Sequence, residues 1–146
     1  MLTKPKNLLQ TQIIAVKLEK KIQHSSYGFS ISEDMFVGLP AAGMKGKWIQ
    51  LIVEPDGPAA LVPVGHVGPW NGGGWNNKYD DKYWKGRKRP QAESCMDLRG
   101  RRTNRAGLLI SSTLWKNLNL GRKRRVIVRW QFVASPRTKK PTVIDS

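Results

Sequence analysis

His66 is the first candidate for proton transfer in this 146-residue chain, and it stands at the end of an apolar run. Its imidazole titrates near neutral pH and could give or take a proton. Asp80 and Glu93 follow, and a carboxyl group that stays protonated can donate its proton to a leaving oxygen. His66 with either carboxylate would therefore form a minimal acid–base pair.

Each of these residues also has a purely structural interpretation. A histidine at a strand end is commonly satisfied by loop carbonyls. Asp80 and Glu93 lie in a stretch rich in Lys and Arg, where local ion pairs are the usual role of an acid. From these residues alone, both interpretations stay open.

Aromatic side chains are frequent in the same stretch, and flat rings of this kind stack on the apolar faces of sugars. The candidates for contact with a glycan or a partner are His66, Trp70, Trp75, Tyr83 and Trp84. Trp75 stands in the Gly-rich segment 71–77, where an exposed aromatic tip favours contact with another molecule. Packing within the loop is the competing interpretation for the other rings.

The charge of the chain is strongly positive: 26 Lys and Arg against 10 Asp and Glu, a net +16. Two dense runs could contact a polyanion, and their members are Arg99, Arg101, Arg102, Arg105, Arg122, Lys123, Arg124 and Arg125. Such a field attracts nucleic acid, anionic wall polymers or acidic faces of neighbouring proteins. A solvated basic surface is the alternative for either run taken alone.

Several classes of protein are excluded by what the sequence lacks. One cysteine and two histidines do not suit a disulfide scaffold or a Cys- or His-rich metal site, so we expect no metal and no cofactor. No apolar stretch is long enough to span a membrane. The N-terminal segment does not have the form of a secretory signal, which predicts synthesis in the cytoplasm.

The chain divides into an arm at 1–12, one domain at 13–134 and a polar tail at 135–146, with a long functional loop at 68–105 inside the domain. The arm and tail read as flexible or ordered by a partner. Alternation over 14–18 predicts a strand, although an amphipathic helix over 9–23 competes with it. The pattern at 47–67 predicts a hairpin with Pro63 at an edge or bulge.

The remaining elements follow the long loop. A short buried strand is predicted at 106–110, and Ser111 or Ser112 can cap a helix that Gly121 ends. The last strand, 124–133, places Val126, Val128, Trp130 and Phe132 on one face; we assign Trp48, Trp115 and Trp130 to the core. Short strands, one small helix and Gly/Pro turns together predict an all-β small barrel.

Three segments in order carry a resemblance to a known family: Val-Gly-Pro-Trp-Asn at 67–71, Tyr-Trp with Arg-Pro-Gln-Ala-Glu at 83–93, and Gly-Arg-Arg-Thr-Asn-Arg-Ala-Gly at 100–107. Over roughly residues 27–133 the chain resembles the double-psi β-barrel domain of the rare lipoprotein A and expansin-like families. The resemblance implies a six-stranded double-psi barrel with one short helix. It also implies that the barrel acts on, or binds, peptidoglycan or plant-wall glycans.

Two positions depart from the family pattern. The resemblance places paired acids, the candidates for glycan cleavage, where this chain has His66 and Leu109. Leucine cannot transfer a proton, and a +16 field disfavours the imidazolium form of a histidine when leucine takes the place of the second acid. We therefore expect a catalytically degenerate barrel that binds glycan or serves as a structural or assembly protein. Without a secretory signal, a phage virion is one route by which such a barrel reaches a cell wall.

Two other functions remain as alternatives. One is an active peptidoglycan-lytic enzyme of the rare lipoprotein A type, using His66 with Asp80 or Glu93. The other is a nucleic-acid-binding module working through the two basic runs.

Overall fold

The computed structural model describes residues 13–18, 34–39, 46–67 and 107–144. They form seven strands and one helix: β1 (Ile13–Lys17), β2 (Val37–Leu39), β3 (Trp48–Val53), β4 (Ala59–Val67), β5 (Leu108–Ile110), α1 (Ser112–Asn117), β6 (Val126–Val133) and β7 (Thr142–Ile144). The predicted arm at 1–12 and long loop at 68–105 lie outside the described residues. In the part that is described, no helix is long and apolar enough to cross a membrane.

The strands form a closed barrel. Neighbouring strands are hydrogen-bonded in the order β2-β5-β1-β6-β3-β4, and a further pairing of β2 with β4 closes the ring of six. β7 lies outside the ring, against β4. The prediction of an all-β small barrel with one short helix is confirmed.

The barrel has an internal two-fold pattern of strand pairing. β1 pairs with β5 in parallel, and β2 pairs with β4 in parallel, whereas the other four pairings of the ring are antiparallel. Exchanging β1, β2 and β3 with β4, β5 and β6 leaves this set of pairings unchanged. The ring of six strands is therefore built from two halves with the same pattern of pairings.

The core follows from the alternation of side chains along each strand. In β6, Val126, Val128 and Trp130 are buried, whereas Ile127 is 45% exposed. Phe132, predicted on the buried face, is 37% exposed near the end of the strand; it meets Trp130 edge to face at 5.0 Å. The prediction that Trp48, Trp115 and Trp130 are core residues is confirmed.

The hairpin predicted at 47–67 is present as β3 and β4. Residues 13–17 form a strand, as predicted, and not the alternative helix. Pro63 falls between the part of β4 that pairs with β7, ending at Leu61, and the part that pairs with β2, starting at Val64. The register with β2 then shifts, so that Gly65 has no Cα partner there. This placement explains how β4 carries an interior proline, which lacks a backbone donor.

The helix begins as predicted and ends differently. Ser111 is the N-cap, and its side chain accepts a hydrogen bond from the backbone of Leu114. The C-terminal end is formed by Asn119 rather than the predicted Gly121, because Asn119 has a φ of 58° and donates to the carbonyl of Lys116. Leu120 donates to the carbonyl of Trp115, which completes a Schellman motif.

The tail at 135–146 contains a strand that the sequence pattern did not predict. β7 pairs antiparallel with the start of β4, in the register Ala59 to Ile144 and Leu61 to Thr142. Val143 packs against the main core. Part of the tail is therefore a structural element of the sheet.

Candidate functional site

The two positions at which the family resemblance places acids are neighbours in the barrel. Gly38, in β2, pairs with His66 of β4 on one side and with Leu109 of β5 on the other. His66, Gly38 and Leu109 therefore form one row across three adjacent strands, which we call the central row. Residues far apart in the sequence meet here because β2 lies between β4 and β5.

Gly38 leaves room for the side chains of His66 and Leu109, which flank it in the central row. A Cβ atom at this position would lie 3.2 Å from Cβ of Leu109 and 3.4 Å from Cβ and Cδ2 of His66. Contacts that short would force one neighbour to move. The absence of a side chain at Gly38 thus lets both neighbours pack closely over this position.

Apolar side chains support the Leu109 end of the row. Leu109 is partly buried and packs against Leu18 and Phe36, which are 2% and 0% exposed. Val16 of β1 is its partner in the register of the parallel pair. The surroundings of the second acid position are therefore aliphatic and aromatic, an environment that penalises a charged group.

A buried serine fixes β2 and the row with it. The Ser111 hydroxyl accepts hydrogen bonds from the backbone N–H groups of Phe36 (3.1 Å) and Leu114 (3.3 Å), and it donates to the carbonyl of Asp34 (2.8 Å). The backbone of Ser111 also donates to the carbonyl of Phe36 at 3.0 Å. One side chain thus ties the start of β2 to the start of α1.

His66 is held in its neutral form. Burial lowers the pKa of its imidazole below the usual 6.5, because desolvation penalises the charged ring. At neutral pH the ring can accept or donate a hydrogen bond, but little of it is the imidazolium that a general acid requires.

This shift predicts a pH-dependent loss of stability. The unfolded chain takes up a proton on His66 near pH 6.5, before the folded chain does, so the folded state loses stability as pH falls through that value and the loss levels off below the folded pKa. Thermal unfolding should show a larger drop in Tm from pH 7.5 to 5.5 for the native chain than for His66→Asn. Equal drops would contradict a lowered pKa.

Of the other candidate residues named from the sequence, the structure describes only some. Asp80, Glu93, Trp70, Trp75, Tyr83, Trp84, Arg99, Arg101, Arg102 and Arg105 lie outside the described residues. The basic run Arg122–Arg125 is described, and all four residues are exposed in the loop between α1 and β6. Among the described residues, no three His, Cys, Asp or Glu side chains come together as a metal site would require.

Two contributors to the site were missed by sequence reasoning. Gly38 lies in the short apolar run 35–39. A glycine inside a strand can mark a place where neighbouring groups come close, and this was the only signal in the sequence. Ser111 was assigned as a helix cap, but its bonds to Asp34 and Phe36 join segments that are distant in sequence.

Comparison of the chain with family models, with curated proteins and with solved structures finds no match in any of the three. The central row, the positive charge and the sequence motifs are therefore the features of this chain that bear on its function.

Proposed function

We propose that this protein is a catalytically degenerate barrel of the rare lipoprotein A and expansin-like type that binds wall glycan as a structural or assembly component, in a phage virion. The observation that carries the proposal is the central row. His66 and Leu109 lie on either side of Gly38, at the two positions where the family resemblance expects cooperating carboxylates. In this proposal the chain retains the barrel fold but does not hydrolyse glycan.

The chemistry of the row supports binding over hydrolysis. Cleavage of a glycosidic bond needs a proton donor and a second carboxylate that acts as base or nucleophile. Leu109 supplies neither, and its contacts with Leu18 and Phe36 are apolar. A neutral His66 can still hydrogen-bond a sugar hydroxyl without transferring a proton to it.

The aromatic residues of the long loop supply the rest of the proposed glycan surface. Trp70, Tyr83 and Trp84 belong to the segments that resemble the family, and Trp75 lies between those segments in the sequence. Stacking on sugar rings depends on apolar contact and on C–H groups facing the ring, so salt weakens it little.

Pelleting with purified sacculi tests this surface. The native chain should remain bound at high salt, and the double variant Trp70→Ala, Trp84→Ala should lose at least about tenfold in affinity, since each lost stacking ring costs on the order of 1 kcal/mol or more. Arg122→Ala with Lys123→Ala is the matched control and should pellet like the native chain at high salt. Equal pelleting of both double variants would remove the glycan surface from the proposal.

Binding of nucleic acid is the second candidate, and one observation favours it. The four basic side chains at 122–125 are all exposed in one loop. Phosphate contacts release counterions, so binding to duplex DNA should fall steeply with salt, with a slope of about −0.9 per contacted phosphate. The Arg122→Ala, Lys123→Ala variant would reduce that slope, whereas the tryptophan variant would leave it unchanged.

The lytic alternative keeps His66 as a proton-transfer group with Asp80 or Glu93. Because burial lowers the pKa of His66, its ring is better suited to act as the base than as the acid, and Asp80 or Glu93 would have to supply the proton. An assay of wall cleavage separates it from the degenerate barrel.

A further inference from the structure

The sheet has an open edge at β7. Neighbouring strands follow the order β2-β5-β1-β6-β3-β4-β7, and within the described ranges no strand lies on the far side of β7. The six strands of the ring have a neighbour on each side, because β2 also pairs with β4. An open edge presents backbone groups to which another extended chain can add as a further strand.

The hydrogen bonds between β3 and β4 show which backbone groups of β4 point towards β7. The N–H of Val53 donates to the carbonyl of Pro58 at 3.0 Å. In the same register, the N–H of Val64 donates to the carbonyl of Lys47 at 2.8 Å. Bonded pairs alternate along an antiparallel ladder, so Ala60 turns its backbone groups towards β3. The residues on either side of it turn theirs towards β7.

This alternation leaves Val143 facing the open edge. Thr142 pairs with Leu61 and Ile144 pairs with Ala59, the two residues of β4 whose backbone groups point towards β7. Val143 lies between them and therefore turns its N–H and its carbonyl away from β4. Its side chain packs against the core. The edge thus offers one donor and one acceptor on a residue whose position is fixed from both sides.

A turn with three cations leads directly into β7. The backbone N–H of Lys139 donates to the carbonyl of Pro136 at 3.0 Å. The hydroxyl of Thr142 donates to the carbonyl of Lys140 at 3.3 Å, which ties the turn to the first residue of the strand. Arg137, Lys139 and Lys140, which we call the basic turn, are exposed, and no carboxylate among the described residues forms an ion pair with them.

The acids nearest to β7 in the described part of the sheet lie towards its other end. Glu54 and Asp56 belong to the turn before β4, and Ala59, just after that turn, pairs with Ile144. Positive charge is therefore concentrated beside Thr142, where β7 begins. A strand that adds antiparallel to β7 has its C-terminal end at this place.

We propose that the β7 edge binds an extended segment of a partner protein, which adds antiparallel to β7 and carries acidic residues at its C-terminal end. The backbone of the segment bonds to Val143, and its carboxylates contact the basic turn. A second copy of this chain is a poorer occupant, because it would bring a further net charge of +16 to the edge. The site uses neither the central row nor the long loop, so a failure of glycan binding would leave it untouched.

The test uses the full chain and a short fluorescein-labelled peptide in which valine alternates with threonine and two glutamates follow at the C-terminal end. We expect the peptide to bind and to slow hydrogen exchange at the Val143 N–H by at least about tenfold, because that group faces away from β4 in the free chain. A peptide with the glutamates at its N-terminal end should bind at least about fivefold more weakly, since its acids then lie away from the basic turn.

Two pairs of variants separate the backbone from the charge. Val143→Pro removes the N–H that faces the edge, at a strand position where proline is tolerated, and should weaken binding at least about fivefold. Val143→Thr keeps that N–H and should change binding less than about twofold. Lys139→Glu with Lys140→Glu should weaken binding at least about tenfold. Its control, Arg124→Glu with Arg125→Glu, alters net charge equally but precedes β6, which β3 and β4 separate from β7, and should change binding less than about threefold.

Three results would overturn the proposal. Binding without slower exchange at Val143 would leave only a charge effect. Displacement of the peptide by oligothymidylate at lower concentration, with the same dependence on Lys139 and Lys140, would make the basic turn a nucleic-acid site. Slower exchange at Val143 in the chain alone, increasing with its own concentration, would make a second copy the occupant. The exchange measurement and the lysine variants keep the proposal testable even if Val143→Pro loosens β7.

Discussion

Replacing Ser111 by alanine should lower the free energy of unfolding by about 2 to 4 kcal/mol, because one buried hydroxyl serves three partners. The loss of an N-cap accounts for about 1 kcal/mol of this. The rest arises because the backbone N–H of Phe36 and the carbonyl of Asp34 lose their bonds to Ser111 Oγ. Ser111 is 0% exposed, so water cannot easily take the place of the hydroxyl.

Urea unfolding of Ser111→Ala measures this effect, and Ser135→Ala, the same chemical change at an exposed position, is the control. The control should change stability by less than about 0.5 kcal/mol. Hydrogen exchange should also quicken at Phe36 and at Val37, since β2 loses its tie to the helix. A loss of only about 1 kcal/mol in the free energy of unfolding, without faster exchange in β2, would mean that Ser111 acts only as the helix N-cap.

Restoring the acid that the family resemblance expects, by Leu109→Asp, should destabilise the barrel by about 1 to 3 kcal/mol at neutral pH. Leu109 is partly buried and packs against Leu18 and Phe36, so a carboxylate at this position would be partly desolvated. Desolvation raises the pKa of the new carboxyl above its unfolded value of about 3.9. The penalty is therefore complete above the raised pKa and shrinks as pH falls through it.

The control for this substitution is Leu109→Asn, which has the same shape and no charge to titrate. The difference in unfolding free energy between the Asp and Asn variants should be large at pH 7 and small near pH 4. If the Asp variant were as stable as the native chain at pH 7, position 109 would still accommodate an ionised acid. The apolar contacts of Leu109 would then be no obstacle to a catalytic carboxylate at this position.

Local pattern predicted those elements in which periodicity and burial agree. In β6 the alternation of Val126, Val128 and Trp130 with exposed residues identified the inner face before any tertiary contact was known. β7 was missed because Thr142–Ile144 is three residues long and its stability comes from pairing with β4. The helix end was misplaced because asparagine and glycine both adopt positive φ, and both Asn119 and Gly121 do so here.

The central row shows what a resemblance adds and what it leaves out. The resemblance implies acids at the positions of His66 and Leu109, and in the barrel both residues flank Gly38. The role of Gly38, which leaves room for the side chains of His66 and Leu109, could not be predicted because it depends on the pairing of β2 with β4 and β5. A cleft between the β3–β4 turn and the C-terminal end of α1 could not be predicted from the sequence either, because its two walls meet only in the folded chain.

Wall hydrolysis tests the central claim most directly. The native chain, incubated with purified sacculi beside a wall hydrolase of established activity, should release no soluble muropeptides and create no new reducing ends, while it pellets with the sacculi at high salt. Release of muropeptides by the native chain, abolished in His66→Ala, would contradict the loss of catalysis and restore the lytic enzyme.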